Sequence, residues 1–147
     1  MSYVEPAPAP TRKIGGLAPG WAVGALVLDI VLVFVFAFVG KESHESQSAL
    51  SLVLTIVWPY VVGVLFGWGI VSSRRGWEVH RMWPAGVTIW LVTYVMGTLL
   101  RWGSGRGIAP GFLLVSVIFL GLTLVGWRAV TALVLRLRAQ SPAADQG

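Results

Sequence analysis

The chain has 147 residues, of which 56% are hydrophobic and only 12% carry a charge. Soluble domains have about 45–50% apolar and about 25% charged residues, so the composition excludes an ordinary water-soluble monomer. The lack of cysteine excludes disulfides and thiolate metal sites. The composition therefore predicts a small integral membrane protein.

Long stretches with almost no charge indicate the positions of the membrane segments. A helix needs about 20 apolar residues to cross about 30 Å of hydrocarbon, and four isolated strands cannot close a barrel in lipid. We therefore predict an all-α polytopic membrane protein with four transmembrane helices in an antiparallel bundle. Their predicted ranges are about 21–39, 49–71, 84–100 and 111–135.

The two ends of the chain are predicted to be disordered cytoplasmic tails, residues 1–20 and 136–147. The first contains the Pro/Ala-rich run 5–10, which cannot form a helix and has nothing to bury. A secretory signal is the alternative interpretation of the first apolar run. Its length of about nineteen residues and the lack of a small-x-small cleavage site favour a retained helix.

The basic residues predict the orientation in the membrane. With four crossings both termini share one side, and that side carries eight Lys and Arg residues against three on the other. The positive-inside rule then predicts a multi-pass protein of the cell (plasma) membrane with both termini in the cytoplasm. The eight are Arg12, Lys13, Arg74, Arg75, Arg81, Arg128, Arg136 and Arg138, and the three are Lys41, Arg101 and Arg106.

The net charge of +5 is distributed along the predicted membrane faces rather than in a separate basic domain. Membrane lipid is therefore the expected partner of these charges, and nucleic acid is not.

Asp29 lies inside the first predicted helix, about 12 Å from its start at a rise of 1.5 Å per residue. An ionised carboxylate at that depth is costly unless it is paired, protonated or hydrated. Arg128 lies at a similar depth in the fourth helix, so we predict an intramembrane polar pair. Four interpretations remain open: an ion pair that joins two helices, a proton or substrate site, a carboxyl that is simply protonated, or an Arg128 that extends to the interface.

Pro59 lies near the middle of the second helix and removes the hydrogen bond to the carbonyl of Thr55. Tyr60 follows it, and Tyr94 lies at a comparable depth in the third helix. This pattern predicts a kink at the midplane. The tyrosines either line a cavity together with Asp29 or pack locally.

Two glycine pairs have the spacing that lets helices approach closely. They are Gly20-x-x-x-Gly24 and Gly63-x-x-x-Gly67. We expect both to be packing surfaces, either within the bundle or in a homodimer.

A polar cluster is predicted at the outer side, formed by Lys41, Ser43 and His44 after the first helix and by Arg101 at the end of the third. A histidine between carboxylates can titrate near neutral pH. The cluster is interpreted either as a site for an anion or lipid head group or as a solvated connecting loop.

Catalytic and cofactor motifs are missing from the sequence, which has no GxSxG, HExxH, P-loop or dinucleotide fingerprint. Its two histidines, His44 and His80, lie in different loops. We therefore expect no enzyme activity, no metal and no cofactor.

Several short motifs follow one another in an order that resembles a known family. They are Asp29, Gly40-Lys41-x-Ser43-His44, Pro59, Trp83-Pro84-x-Gly86-Val87, Gly97, Leu100-Arg101 and Gly126-Trp127-Arg128. Over about residues 21–135 the chain resembles domain-of-unknown-function family 3054, small bacterial and archaeal membrane proteins. The family more often has Arg where Lys41 stands, which keeps the charge but not the bidentate donor. The resemblance implies a four-helix membrane protein without an assigned activity, and it draws attention to Asp29, His44, Arg101 and Arg128.

Three functions are compatible with the sequence. The first is a small transport or permeation protein that acts as a homo-oligomer and uses the intramembrane carboxylate. The second is a non-catalytic accessory or assembly subunit of a larger membrane complex. The third is a sensor or lipid-binding protein that works through the outer polar loop. The sequence favours transport narrowly over the accessory role.

Overall fold

The computed structural model describes residues 19–41 and 48–140. The elements in these ranges are all helical, which confirms the predicted all-α class. The α-helices are α1 (Pro19–Lys41), α2 (Ala49–Leu52), α3 (Trp58–Ser73), α4 (Val87–Gly103), α5 (Pro110–Leu120) and α6 (Gly126–Gln140). Three π-helical segments join or precede them, Val53–Val57, Met82–Gly86 and Gly121–Val125.

Four helices in the described ranges are long and apolar enough to cross a membrane, as the sequence predicts. They are span 1 (Gly20–Gly40), span 2 (Thr55–Ser73), span 3 (Met82–Gly103) and span 4 (Pro110–Gln140). Below, the basic end of the bundle is the end with the 74–81 loop, and the Arg101 end is the opposite end.

Both predicted tails need a correction, the larger one at the end of span 4. This helix continues to Gln140, so residues 136–140 are helical and do not belong to a disordered tail. Arg136 and Arg138 do not stop the helix, because long basic side chains can extend from a helix end into water. At the other end of the chain α1 begins at Pro19, so residues 19 and 20 are helical too and do not belong to a disordered tail. The other predicted tail residues, 1–18 and 141–147, lie outside the described ranges.

The backbone departs from a regular α-helix near two prolines, Pro59 and Pro84. Pro59 is in the first turn of α3, and the π-helical segment Val53–Val57 directly precedes it. The chain thus continues through the proline by widening one turn. At the start of span 3, Trp83 has extended backbone angles (φ −119°, ψ 135°) within the π-helical segment Met82–Gly86, and the α-helix α4 follows from Val87.

Spans 2 and 3 pack backbone to backbone through glycine. A Cβ atom at Gly63 would lie 2.8 Å from the carbonyl oxygen of Thr93, and one at Gly67 would lie 3.0 Å from Cα of Ile89. The Gly63/Gly67 pair is therefore a packing surface within the bundle. At Gly24 an added Cβ would have no neighbour within 4 Å.

An aromatic layer fills the half of the bundle nearer the Arg101 end. The ring of Phe36 lies 5.2 Å from Tyr60, 6.0 Å from Phe112 and 5.7 Å from Phe119, measured between centroids. This layer joins spans 1, 2 and 4. Asp29 is about two turns away on span 1, towards the basic end, so the aromatic layer separates Asp29 from the Arg101 end.

Candidate functional site

Asp29 and Arg128 form a bidentate ion pair between spans 1 and 4. Arg128 Nη1 donates to Asp29 Oδ1 at 2.9 Å, and Nη2 donates to Oδ2 at 2.7 Å. Both side chains are completely buried. Two parallel charge-assisted bonds in this geometry are among the strongest polar contacts that proteins make.

Two indoles complete the coordination of the Asp29 carboxylate. Trp68 Nε1 of span 2 donates to Oδ2 at 2.8 Å, and Trp127 Nε1 of span 4 donates to Oδ1 at 2.9 Å. Each carboxylate oxygen thus accepts two hydrogen bonds. A carboxylate has about four lone-pair sites, so the hydrogen-bonding capacity of Asp29 is filled from within the protein.

Arg128 is held equally firmly by the backbone. Its Nε donates to the carbonyl of Val79 at 2.9 Å, and its Nη1 also donates to the carbonyl of Leu124 at 2.6 Å. The guanidinium carbon lies 4.4 Å from the ring centroid of Trp127. The side chain passes so close to span 3 that a Cβ at Gly86 would lie 2.7 Å from its Cδ.

The ion pair and its neighbours therefore connect every span and the 74–81 loop. We refer to Asp29, Trp68, Trp127 and Arg128 as the Asp29 cluster. Burial of two charges is tolerated only when their partners and remaining hydrogen bonds are supplied, and this cluster supplies them. It can hold the helices in register, and it offers no unoccupied acceptor for a ligand in this conformation.

A second polar group lies at the Arg101 end and is arranged in the opposite way. The Arg101 guanidinium lies 4.5 Å from the ring centroid of Phe112, but its Nε and Nη1 are buried and have no hydrogen-bond partner among residues 19–41 and 48–140. Buried donors without a partner are rare in native proteins and usually indicate water or a ligand. Arg101 is therefore a candidate binding residue.

Three hydroxyl side chains lie close together near Arg101. Tyr60 is fully buried, and its hydroxyl faces the side chains of Thr98 and Ser116 within electrostatic range of Arg101. Neither neighbour makes a well-aligned hydrogen bond with it, so the Tyr60 and Thr98 hydroxyls have no partner in the part of the chain that the structure describes. We refer to Tyr60, Thr98, Ser116 and Arg101 as the Arg101 cluster.

The sequence-predicted residues fall into both clusters. Asp29 and Arg128 contact each other in the Asp29 cluster, whereas Tyr60 belongs to the Arg101 cluster. Tyr60 is far from Asp29 because Trp68, which contacts Asp29, lies about two turns or about 12 Å further along the helix that carries Tyr60. Tyr94 lies within electrostatic range of Tyr60. Of the predicted outer cluster only Arg101 can be assessed, because Ser43, His44 and the side chain of Lys41 lie outside the described part.

The sequence reasoning missed both tryptophan partners of Asp29. A signal was available, because Trp68 and Trp127 lie inside apolar stretches and a buried indole N–H needs an acceptor. The role of the Val79 carbonyl had no such signal, since a backbone oxygen is invisible in sequence. Within the described ranges no group of three or more His, Asp or Glu side chains could hold a metal ion.

The four spans and the buried ion pair define the class of the protein: it is a multi-pass integral membrane protein built as a helical bundle. A family model described as "Protein of unknown function (DUF3054)" matches residues 26–131, and the chain belongs to that family. The match covers the Asp29 cluster and the Arg101 cluster. No curated protein and no solved structure matches the chain significantly.

Proposed function

We propose that the protein is a small transport or permeation protein that accepts an anionic solute at the Arg101 cluster. One observation carries the proposal: among the described residues, two buried N–H groups of Arg101 and two nearby hydroxyls have no hydrogen-bond partner. Arginine and hydroxyl groups are the donors that recognise carboxylate and phosphate oxygens.

The charge distribution also favours an anion. The acidic residues of the described ranges are Asp29 and Glu78, and both belong to the basic end. Arg101 therefore has no carboxylate partner in that part of the chain, while Glu42 and Glu45 lie outside it. A buried or half-buried cation without a counter-ion attracts anions from solution.

Asp29 has a different role in this proposal. Its carboxylate is saturated by internal donors, so we infer that it closes the basic end and does not bind the solute directly. Passage through the bundle then requires the Asp29 cluster to separate in one state of the transport cycle, as expected when two packings of a bundle alternate.

For the orientation we propose that both termini lie in the cytoplasm of the plasma membrane. The excess of basic residues at the basic end supports this choice. The Arg101 cluster would then receive its solute from the outer side.

The test is anion uptake into liposomes that contain the purified protein, with chloride, acetate and inorganic phosphate as probes. We expect uptake of at least one anion above protein-free liposomes, and at least a tenfold loss for Arg101→Gln. Arg106→Gln is the matched control, because Arg106 is exposed at the same end. Equal uptake by the two variants, or no uptake by the unaltered protein, would contradict the proposal.

A second candidate, an accessory subunit of a membrane complex, has one observation in its favour. An open groove of about 240 Å³ runs along spans 1 and 4 at the basic end and is lined by Gly20, Trp21, Gly24, Ala25, Leu28 and Trp127. Small residues of this kind let a second membrane helix approach closely. Gentle purification from native membranes tests it: a stoichiometric partner that is lost with Gly24→Leu supports the accessory role, and a partner-free protein argues against it.

A further inference from the structure

A second groove lies at the basic end, between the start of span 3 and the last turns of span 4. Its volume is about 490 Å³. The groove combines basic groups with apolar walls, and the residues used below are His80, Arg81, Trp83, Ala132, Leu133 and Arg136. It is separate from the Asp29 cluster and from the Arg101 cluster.

The groove combines charged and apolar side chains, which is what a lipid with a charged head group and an apolar chain requires. Arg81 and Arg136 supply positive charge, whereas Leu133 and Trp83 are apolar and strongly exposed, at 57% and 70%. The small side chain of Ala132 leaves room along the helix. Tryptophan at such a position is typical of the membrane interface, where its ring sits at the level of the head groups.

The described chain neutralises the positive charge of the groove only in part. Among the described residues, the carboxylate of Glu78 contacts both Arg81 Nε and His80 Nε2, the latter at 3.5 Å. Arg136 has no acidic partner in the described ranges, and His80 Nδ1 is buried there without a hydrogen-bond partner. The groove thus offers donors and net positive charge to an anion.

We propose that this groove binds an anionic phospholipid, with its phosphate at Arg81 and Arg136 and an acyl chain along Leu133 and Ala132. Charge complementarity selects an anion, and the exposed apolar wall selects one that carries a hydrocarbon chain. The site would hold one lipid against spans 3 and 4, independently of whether the protein transports anything.

The experiment is native mass spectrometry of the full chain in detergent, titrated with phosphatidylglycerol or with phosphatidylcholine. We expect one tightly bound phosphatidylglycerol, at least fivefold weaker binding in Arg136→Gln, and little retained phosphatidylcholine. Arg138→Gln is the matched control, since Arg138 is exposed on the same helix but does not line the groove. Ala132→Leu fills the groove without changing charge and should weaken lipid binding as well.

Three results would overturn the proposal. The first is equal binding of phosphatidylglycerol by Arg136→Gln and Arg138→Gln. The second is equal retention of the two phospholipids by the unaltered protein. The third is displacement of phosphatidylglycerol by soluble glycerol 3-phosphate at similar concentration, which would identify a site for free phosphate. Thermal unfolding of each variant, compared with the unaltered protein, establishes that the fold is intact.

Discussion

Asp29 keeps a carboxylate inside an apolar bundle because four donors from three side chains surround it. Removing water from an ionised group is costly, and the cost is offset here by one guanidinium and two indoles at 2.7–2.9 Å. The same physical rule makes Arg101 conspicuous, since its buried donors have no such partners in the described chain. The first arrangement joins helices, and the second is the basis of the binding role proposed for Arg101.

At this scale we predict the effect of Trp68→Phe. The change keeps an aromatic ring in place but removes the donor to Asp29 Oδ2, so the free energy of unfolding should fall by about 1.5–3 kcal/mol, the range for a hydrogen bond to a charged group. Denaturant unfolding in detergent micelles measures it. Trp102→Phe is the control, because Trp102 is 65% exposed, and its change should stay within about 0.5 kcal/mol. Equal effects of the two substitutions would mean that the indole bond to Asp29 does not matter.

The sequence predicted the pairing of Asp29 with Arg128 from depth alone. Helical rise gives depth directly, because each residue adds a fixed 1.5 Å. Which way each side chain faces around the helix axis depends on packing, and this is why the tryptophan partners and the separation of Tyr60 from Asp29 were not predicted. The contact between Arg128 and the Val79 carbonyl depends on the path of the 74–81 loop, for which hydropathy holds no information.

Among the helices, the closest packing is that between spans 2 and 3, where glycine removes the side chain from the contact. Gly63 and Gly67 face the backbone of Thr93 and Ile89. Close approach of this kind replaces the hydrophobic effect as a source of helix association in lipid. The spacing of the two glycines indicated a packing surface in the sequence, but it did not identify the partner helix.

We predict that Gly63→Ala destabilises the bundle, because its Cβ would lie 2.8–2.9 Å from backbone atoms of Thr93, which cannot move without shifting span 3. Overpacking of this size costs about 1–3 kcal/mol. Gly69→Ala is the matched control on the same helix, because a Cβ at Gly69 has no neighbour within 4 Å. It should be neutral or stabilising by up to about 1 kcal/mol. Detergent unfolding midpoints of the two variants compare them directly, and equal midpoints would argue against this packing.

The sequence predicted four apolar helices, but a proline or a charge did not predict where each helix begins or ends. The sequence predicts that the third helix begins at Pro84, whereas in the structure a π-helical segment covers Met82–Gly86 and α4 begins at Val87. The end of span 4 was placed too early, because Arg136 and Arg138 resemble the start of a tail, although a helix can extend beyond the hydrocarbon into water.

For the whole molecule, the positive-inside rule predicts that both termini lie in the cytoplasm. The chain has no cysteine, so a single introduced cysteine can be labelled without background. Ser73 is exposed at the basic end, where span 2 ends, and Ser104 is exposed at the Arg101 end, directly after span 3. In intact cells a membrane-impermeant thiol reagent should label Ser104→Cys at once and Ser73→Cys only after the membrane is permeabilised. The reverse pattern would show that the termini lie outside.

The Asp29 cluster contacts all four spans, so it should stabilise the bundle as one unit. Asp29→Asn and Arg128→Gln each leave the opposite charge buried without its ionic partner, which costs about 3–5 kcal/mol when such a pair is broken. In the double variant neither charge remains, so its loss of stability should be smaller than the sum of the two single losses.

A double-mutant cycle on the free energy of unfolding therefore tests the central claim most directly. The unaltered protein, Asp29→Asn, Arg128→Gln and the double variant are unfolded under identical detergent conditions. We expect the double variant to be more stable than the sum of the single effects predicts, by at least about 2 kcal/mol, within the range found for residues in direct contact. Additivity within about 0.5 kcal/mol, the behaviour of independent sites, would contradict the claim that this ion pair holds the bundle together.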